Sequence, residues 1–204
     1  MEIVIASNNK HKVEEFQAML ENFLVLPMGD VGCNLEVEEN GKSFYENAKI
    51  KAEAVSSFLK GRNYIVLSDD SGLCVDALGG RPGIYSARYS GEHGNDRENR
   101  KKLLDDLKNC SNRSAHFQCD LVAIFPDGKE IHACGKAHGE ILEKELGENG
   151  FGYDSLFFSK ELGKTFAQAT EQEKNSVSHR AKAVQNLLQI LKEAPKFDTI
   201  RQKS

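Results

Sequence analysis

Apolar residues recur along the chain in two patterns: short continuous runs and stripes with helical spacing. Residues 3–6 form a short run that predicts a strand, and the polar residues 7–9 lead directly into a helical stripe. That stripe consists of Val13, Phe16, Leu20 and Phe23. A second helix is predicted to begin at Ser43, because Ser43 and Glu46 have the spacing of a capping box. It leads to a second apolar run at residues 64–67, so strands and helices alternate in this part of the chain.

The later part of the chain contains signals for both antiparallel strands and helices. Pro126-Asp127-Gly128 separates two long strand patterns and predicts a hairpin, so part of the sheet is expected to be antiparallel. Asn95 is expected to open a helix, and Thr170 and Glu173 have the spacing of a second capping box. The last predicted helix begins at Ser178 and carries its apolar stripe at Val184, Leu187, Leu188 and Leu191.

Two adjacent aspartates, Asp69 and Asp70, follow the apolar run at 64–67, where the strand is expected to end in a turn. Neighbouring side chains on extended backbone point to opposite faces, so one carboxylate can hold a hard cation while the other faces a reacting water. An acidic surface turn is the alternative, because Asp, Ser and Gly all favour turns.

Several basic and polar residues are candidates for binding an anion. Ser7, Asn8 and Asn9 stand at a predicted helix start, where backbone N–H groups favour an anion, and Lys12 follows one turn later. Simple helix capping by the asparagines is the alternative. Lys51 stands at the edge of the second helical stripe, where a lysine either meets an anion or extends its ammonium group into solvent.

The carboxyl-terminal part contributes an arginine and an aromatic segment. Arg180 is in line with the apolar stripe of the last helix, so its guanidinium is predicted to point inward, toward a structural carboxylate or a ligand oxygen. Residues 151–154, Phe-Gly-Tyr-Asp, offer an aromatic face and a carboxylate, which suit stacking on a base and reading its edge. A buried aromatic residue beside a turn is the alternative.

Composition narrows the class of protein. The chain has 204 residues, of which 39% are hydrophobic and 28% charged, and no apolar run has the length that a bilayer requires. Its start resembles a first strand and not a signal peptide, so a cytoplasmic protein is expected. Five cysteines without a C-x-x-C pair indicate neither a disulfide framework nor a zinc site. The net charge of −4 argues against binding to polynucleotides. We expect one domain over residues 1–194 and a polar tail over 195–204.

Six motifs in a fixed order carry a family resemblance. They are SNNKHK at 7–12, SFYENAKIKA at 43–52, SDDSGL at 68–73, PGIYSARYSG at 82–91, FGYD at 151–154 and SHR at 178–180. With these motifs the chain resembles the inosine triphosphate pyrophosphatase family, also called XTP/dITP diphosphatases, over nearly its whole length. The resemblance implies a mixed α/β fold with an elongated central sheet flanked by helices, and two lobes with an active-site cleft between them. It also implies a homodimer that uses Mg²⁺ to hydrolyse deaminated purine nucleoside triphosphates to the monophosphate and pyrophosphate.

The resemblance also implies roles for particular residues. Asp70 would be the general base, and Mg²⁺ would be bound by Asp70, Asp69 and Glu38, or by Glu39 in place of Glu38. The triphosphate would lie among Ser7, Asn8, Asn9, Lys12, Lys51 and Lys174, with Ser71 beside the catalytic loop. The purine would be surrounded by Phe151, Gly152, Tyr153, Asp154, His179 and Arg180.

Two other functions are consistent with paired aspartates. A receiver-type signalling module holds Mg²⁺ with such a pair, although there the pair follows the first strand and here it lies in the middle of the chain. A nucleotide-binding protein without hydrolysis is the second alternative.

Overall fold

The computed structural model describes residues 2–92 and 94–193. Its strands are β1 (Glu2–Ile5), β2 (Leu24–Pro27), β3 (Tyr64–Val75), β4 (Ser114–Ile124), β5 (Glu130–Ile141), β6 (Phe157–Ser159) and β7 (Lys164–Thr165). Its α-helices are α1 (Lys10–Met19), α2 (Phe44–Phe58), α3 (Asp96–Asp106), α4 (Glu171–Val177) and α5 (His179–Glu193). Within the described residues, none of these helices combines the length and the apolarity that crossing a bilayer requires.

The seven strands form one mixed sheet in the order β2-β1-β3-β4-β5-β6-β7. β1 is parallel to both of its neighbours, with Ile3 opposite Val25 on β2 and Ile65 on β3. β6 is antiparallel to β5 and to β7. The tight turn at 126–128 joins β4 to β5 as predicted, and Gly128 adopts φ +83° there. The predicted mixed α/β class is therefore confirmed.

The sequence prediction was wrong about the acidic pentapeptide at residues 68–72. No turn follows residue 67, because β3 runs without interruption from Tyr64 to Val75 and carries both aspartates within it. Leu73, Cys74 and Val75 extend the apolar run beyond the acidic residues and are buried. Burial of this second run, together with the pairing of β3 with β1 on one side and with β4 on the other, outweighs the local turn preference of Ser, Asp and Gly.

The predicted helix starts are largely confirmed. The side chain of Ser43 caps α2 by accepting from the N–H of Glu46, but the Glu46 carboxylate accepts from the N–H of Lys42 and not from Ser43, so half of the capping box forms. Thr170 and Glu173 form the complete box at α4. Ser178 separates α4 from α5, and its hydroxyl accepts from the N–H of Ala181.

The chain divides into two compact units, which we describe separately. Among the described residues, the first unit comprises 2–70, 120–134 and 183–193, and the second comprises 71–119 and 135–182 without 93. In the first unit, Val4, Val55 and Val66 belong to one apolar cluster, and Ala52 and Val122 belong to another. In the second unit, the core combines aliphatic side chains with the aromatic residues Phe117, Tyr153, Phe157 and Phe166. The predicted tail at 195–204 lies outside the described residues.

Candidate active site

Asp69 and Asp70 are buried acidic residues of the first unit. Together with Lys12, Lys51 and Glu39 they form a group of charged side chains that we call the first cluster. The two aspartates are 2% and 7% exposed and lie within β3. Nζ of Lys12, in the first turn of α1, lies 3.1 Å from Oδ1 and 3.0 Å from Oδ2 of Asp69. The sequence placed these residues 57 positions apart, and the parallel pairing of β1 with β3 brings them together.

Lys51 on α2 is the second cation of this cluster. Its Nζ lies 2.9 Å from Oε1 of Glu39, and its side chain is only 12% exposed. Burial by itself lowers the pKa of Lys51, but attraction to Asp69, Glu39 and Asp70 outweighs burial and raises the pKa overall. Lys51 is therefore a charged ammonium group held among three carboxylates.

The pKa of Asp70 is raised above the ordinary value of 3.8. Burial is the largest cause and raises the pKa, whereas Lys51, Lys12 and the hydrogen bond from Asn47 lower it, and the net shift is upward. Glu39 also raises the pKa, through like charge. A carboxylate with a raised pKa is a stronger base than an ordinary aspartate, as acceptance of a proton from water requires.

Asn47 was missed by the sequence reasoning. This residue is fully buried, its Nδ2 donates to Oδ2 of Asp70 at 3.0 Å, and its Oδ1 accepts from the N–H of Gly41 at 2.8 Å. A Cβ on Gly41 would lie 2.7 Å from that Oδ1, so glycine permits the approach. Asn47 thus joins Asp70 to the segment that follows the acidic stretch at 36–39. The available signal was a polar residue beside Ala48, on the apolar stripe of α2.

The donor chemistry of the first cluster suits Mg²⁺, which binds carboxylate oxygens together with substrate phosphates. Asp69, Asp70 and Glu39 against Lys12 and Lys51 leave one net negative charge when all are ionised, so a divalent cation would be needed for a triphosphate to be attracted. In residues 2–92 and 94–193, no group of three or more His, Cys, Asp or Glu side chains is arranged to hold a metal ion by itself. The excess of carboxylates over lysines fits a divalent ion that is held partly by its substrate.

The polar turn before α1 uses its own side chains to form the helix start. The Ser7 hydroxyl accepts from the N–H of Asn9, and Oδ1 of Asn9 accepts from the N–H of Lys12 as the N-cap. Asn8 is exposed. The capping alternative therefore describes Asn9 correctly, while anion binding by this turn stays a prediction.

In the second unit, a buried ion pair lies beneath an aromatic ring. Nζ of Lys174 lies 2.7 Å from Oδ2 of Asp154, and both side chains are less than a tenth exposed. The same Asp154 oxygen accepts from the N–H of Phe151 at 3.0 Å. Nζ of Lys174 lies 4.8 Å from the centre of the Phe151 ring, within the range of a cation–π contact.

His179 and Arg180, at the start of α5, belong to the same second-unit cluster. The His179 ring stacks on Phe117 with centroids 4.8 Å apart and planes 15° apart. Arg180 is 2% exposed, which confirms the predicted inward direction, and its Cζ lies 5.9 Å from the centre of the Phe151 ring. Phe117 was missed, because its alternation with Ala115 and Cys119 predicts only a core strand residue.

A model of the Ham1 family matches residues 3–190. The chain belongs to the Ham1 family. This confirms the resemblance drawn from the six motifs. The Ham1 chain is 50% identical over 196 residues to the dITP/XTP pyrophosphatase of Clostridium perfringens, a match that covers 93% of this chain and 96% of the relative. It is 44% identical over 194 residues to the dITP/XTP pyrophosphatase of Bacillus subtilis, covering 93% and 96%.

Solved structures of Ham1 proteins have the same fold. The Staphylococcus aureus Ham1 protein matches with a TM-score of 0.83 and 43% identity, covering 94% of this chain and 98% of that chain. A HAM1 protein from Coxiella burnetii matches with a TM-score of 0.83 and 36% identity, covering 95% and 100%.

The structure thus groups most of the predicted site residues of this Ham1 chain into two clusters. Lys12, Lys51, Asp69 and Asp70 lie together in the first unit. Phe151, Asp154, Lys174, His179 and Arg180 lie together in the second, although Lys174 was expected among the phosphate ligands. Glu38 is exposed, whereas its neighbour Glu39 forms the ion pair with Lys51. Ser71 is half-buried on β3, next to Asp70.

Proposed function

We propose that this chain is a nucleoside triphosphate pyrophosphatase that cleaves dITP, XTP and ITP between the α and β phosphates. The products are the nucleoside monophosphate and pyrophosphate. The observation that carries the proposal is the pairing of Lys12 and Lys51 with carboxylates around Asp70, in a chain whose relatives are named dITP/XTP pyrophosphatases. The removal of deaminated purine nucleotides from the precursor pool follows from this activity.

In the proposed reaction, Asp70 accepts a proton from the water that attacks phosphorus. Lys12 and Lys51 exchange carboxylate partners for phosphate oxygens, because an ammonium group neutralises either anion. Asp69 and Asp70, with Glu38 or Glu39, would hold Mg²⁺, which when bound neutralises phosphate charge and favours attack by water. Asn47 keeps the Asp70 carboxylate oriented by donating to its Oδ2.

Base selection is proposed to depend on the second cluster. Hypoxanthine and xanthine have a 6-keto acceptor where adenine has an amino donor, so donors from His179 or Arg180 would favour the deaminated bases. Stacking of the base on Phe151 would add affinity of about 1–3 kcal/mol. Gly152, Tyr153 and Asp154 would shape this aromatic segment.

Three further parts of the proposal come from the family resemblance alone. Ser7, Asn8, Asn9, Ser71 and Lys174 would contact the triphosphate. The working enzyme would be a homodimer, which light scattering after size-exclusion chromatography tests. The chain over 1–194 would act as a single ITPase-like domain.

The decisive assay compares dITP, dATP and dGTP in the presence of Mg²⁺. We expect dITP to be cleaved to dIMP and pyrophosphate much faster than the other two are cleaved. Equal turnover of all three would contradict the selection of deaminated bases, and release of orthophosphate as the first product would contradict the position of cleavage. Intact dITP after incubation would favour a nucleotide-binding protein, and a phosphoryl group gained from acetyl phosphate would favour a receiver module.

A further inference from the structure

Helix α3 holds the aromatic segment 151–154 through its backbone. Oδ2 of Asp96 accepts from the N–H of Gly152 at 2.8 Å, and Nη1 of Arg100 donates to the carbonyl oxygen of Gly152 at 2.8 Å. Asp96 and Arg100 are four residues apart, so their side chains leave the same face of α3 one turn apart. We call these two residues the Gly152 clamp.

The Gly152 clamp fixes two successive peptide groups. The bonded nitrogen belongs to the peptide between Phe151 and Gly152, and the bonded oxygen belongs to the peptide between Gly152 and Tyr153. Gly152 has φ +60°, a left-handed conformation that a side chain would disfavour. The orientation of the Phe151 backbone is therefore set from α3 on one side, and by Asp154, which accepts from the N–H of Phe151, on the other.

The clamp residues are themselves held in place. Nε of Arg100 lies 2.9 Å from Oε2 of Glu145, and the same oxygen accepts from the hydroxyl of Ser155 at 2.9 Å. Asp96 is fixed on the first turn of α3, where Asn95 is the N-cap and accepts from the N–H of Glu98. A backbone bonded to anchored side chains cannot rotate without breaking charge-assisted hydrogen bonds.

We propose that Asp96 and Arg100 are positioning residues for base selection. They hold the Phe151 backbone so that its ring stays over Lys174 and beside Arg180, which gives the purine one orientation relative to the cations. The inference rests on the proposed function, since it assigns to the clamp the discrimination between a 6-keto and a 6-amino purine.

The test compares variants of two acidic residues on the first turn of α3. Asp96→Ala removes the acceptor for Gly152, Asp96→Asn keeps an acceptor oxygen but removes the charge, and Glu98→Ala removes a first-turn charge that does not contact Gly152. Arg100→Met and its neighbour Lys101→Met form a second matched pair, because each loses one positive charge from α3 and only Arg100 contacts Gly152.

We expect Asp96→Ala to raise KM for dITP by about 10-fold and to narrow the dITP to dATP ratio of kcat/KM by about 10-fold, with a smaller change in kcat. Arg100→Met should have the same effect, while Asp96→Asn, Glu98→Ala and Lys101→Met should stay within about threefold of wild type. Hydrogen exchange at the Gly152 amide should accelerate in Asp96→Ala and not in Glu98→Ala.

Several outcomes would overturn the role of the clamp. One is a dITP to dATP ratio of kcat/KM that stays unchanged in both Asp96→Ala and Arg100→Met, whether activity is retained or falls equally for both nucleotides. Equal effects of Asp96→Ala and Glu98→Ala would assign the change to helix charge. If Asp96→Ala or Arg100→Met is unfolded at the assay temperature, the comparison that uses the other of these two variants provides the test. Failure of the wild-type chain to release pyrophosphate from dITP would instead contradict the proposed function.

Discussion

At the residue scale, Asp70 combines a functional advantage with a cost in stability. Burial raises its pKa in the folded state, so ionisation of this carboxyl begins to disfavour the folded state as the pH rises above the ordinary value of 3.8, and the full cost is present above the raised pKa. Asp70→Asn removes the charge but leaves a side chain of nearly the same shape. We expect this variant to lose several orders of magnitude in kcat and, without divalent metal, to melt at a higher temperature than wild type.

Pyrophosphate release and thermal melting in EDTA measure the two effects. The exposed Asp105, changed to Asn, is the matched control and should alter neither. Retention of wild-type turnover in Asp70→Asn would remove Asp70 from the role of general base.

Asn47 offers a second test at this scale. Asn47→Ala leaves Oδ2 of Asp70 and the N–H of Gly41 without their buried partner, which should cost about 1–3 kcal/mol of stability. We also expect kcat to fall by about 10-fold, because the Asp70 carboxylate is no longer held in one orientation. Chemical denaturation and steady-state kinetics check these values. Asn186→Ala, which removes an exposed bond to the carbonyl of Cys134, is the control and should change stability far less.

At the element scale, Tyr89 joins the segment 83–89 to the end of α3 by donating to Oδ2 of Asp106. This hydrogen bond lowers the pKa of Asp106, and burial with the same bond raises the pKa of Tyr89 to about 12, so the phenol remains a donor at ordinary pH. A lowered carboxyl pKa stabilises the fold above the ordinary value of 3.8, and the contribution disappears as the pH falls through the lowered value.

The corresponding prediction concerns Tyr89→Phe. Because the variant lacks the donor, it should be less stable than wild type near neutral pH, and the difference should shrink as the pH falls below the ordinary value of 3.8. Denaturant unfolding at a series of pH values measures the difference. A difference that stays constant down to acid pH would show that lost ring packing, and not the carboxylate, is responsible.

At the scale of the whole molecule, the charge balance of the first cluster predicts a requirement for divalent metal. Its three carboxylates exceed its two lysines, so a triphosphate alone is repelled when all five groups are ionised. We expect EDTA to abolish hydrolysis of dITP and to weaken its binding, and excess Mg²⁺ to restore both. Pyrophosphate release and calorimetric titration test this expectation. Full turnover in EDTA would contradict it.

Several features that depend on near neighbours were predicted correctly from the sequence, although the predicted turn at residues 68–72 was not. The complete capping box of Thr170 and Glu173 forms because its partners lie three residues apart, and Arg180 is buried because its place in the helical stripe fixes its direction. The box at Ser43 forms only in part, because the Glu46 carboxylate bonds to Lys42 instead. The contacts of Asn47 with Asp70 and of Asp96 with Gly152 span 23 and 56 positions, and no local pattern indicates them.

Local patterns were enough to predict the helix starts, the hairpin, the inward direction of Arg180 and, through six motifs, the family. Periodicity and capping encode such features within a few residues of chain. Local patterns did not predict β2 or β7, and α1 ends at Met19 although the predicted stripe ran on to Phe23. The continuation of β3 through Asp69 and Asp70, the pairing of Lys51 with Glu39 and the contact of α3 with Gly152 became known from the folded structure alone. These outcomes depend on which distant groups share a buried environment, where pairing of strands and charges outweighs the preference of a short peptide.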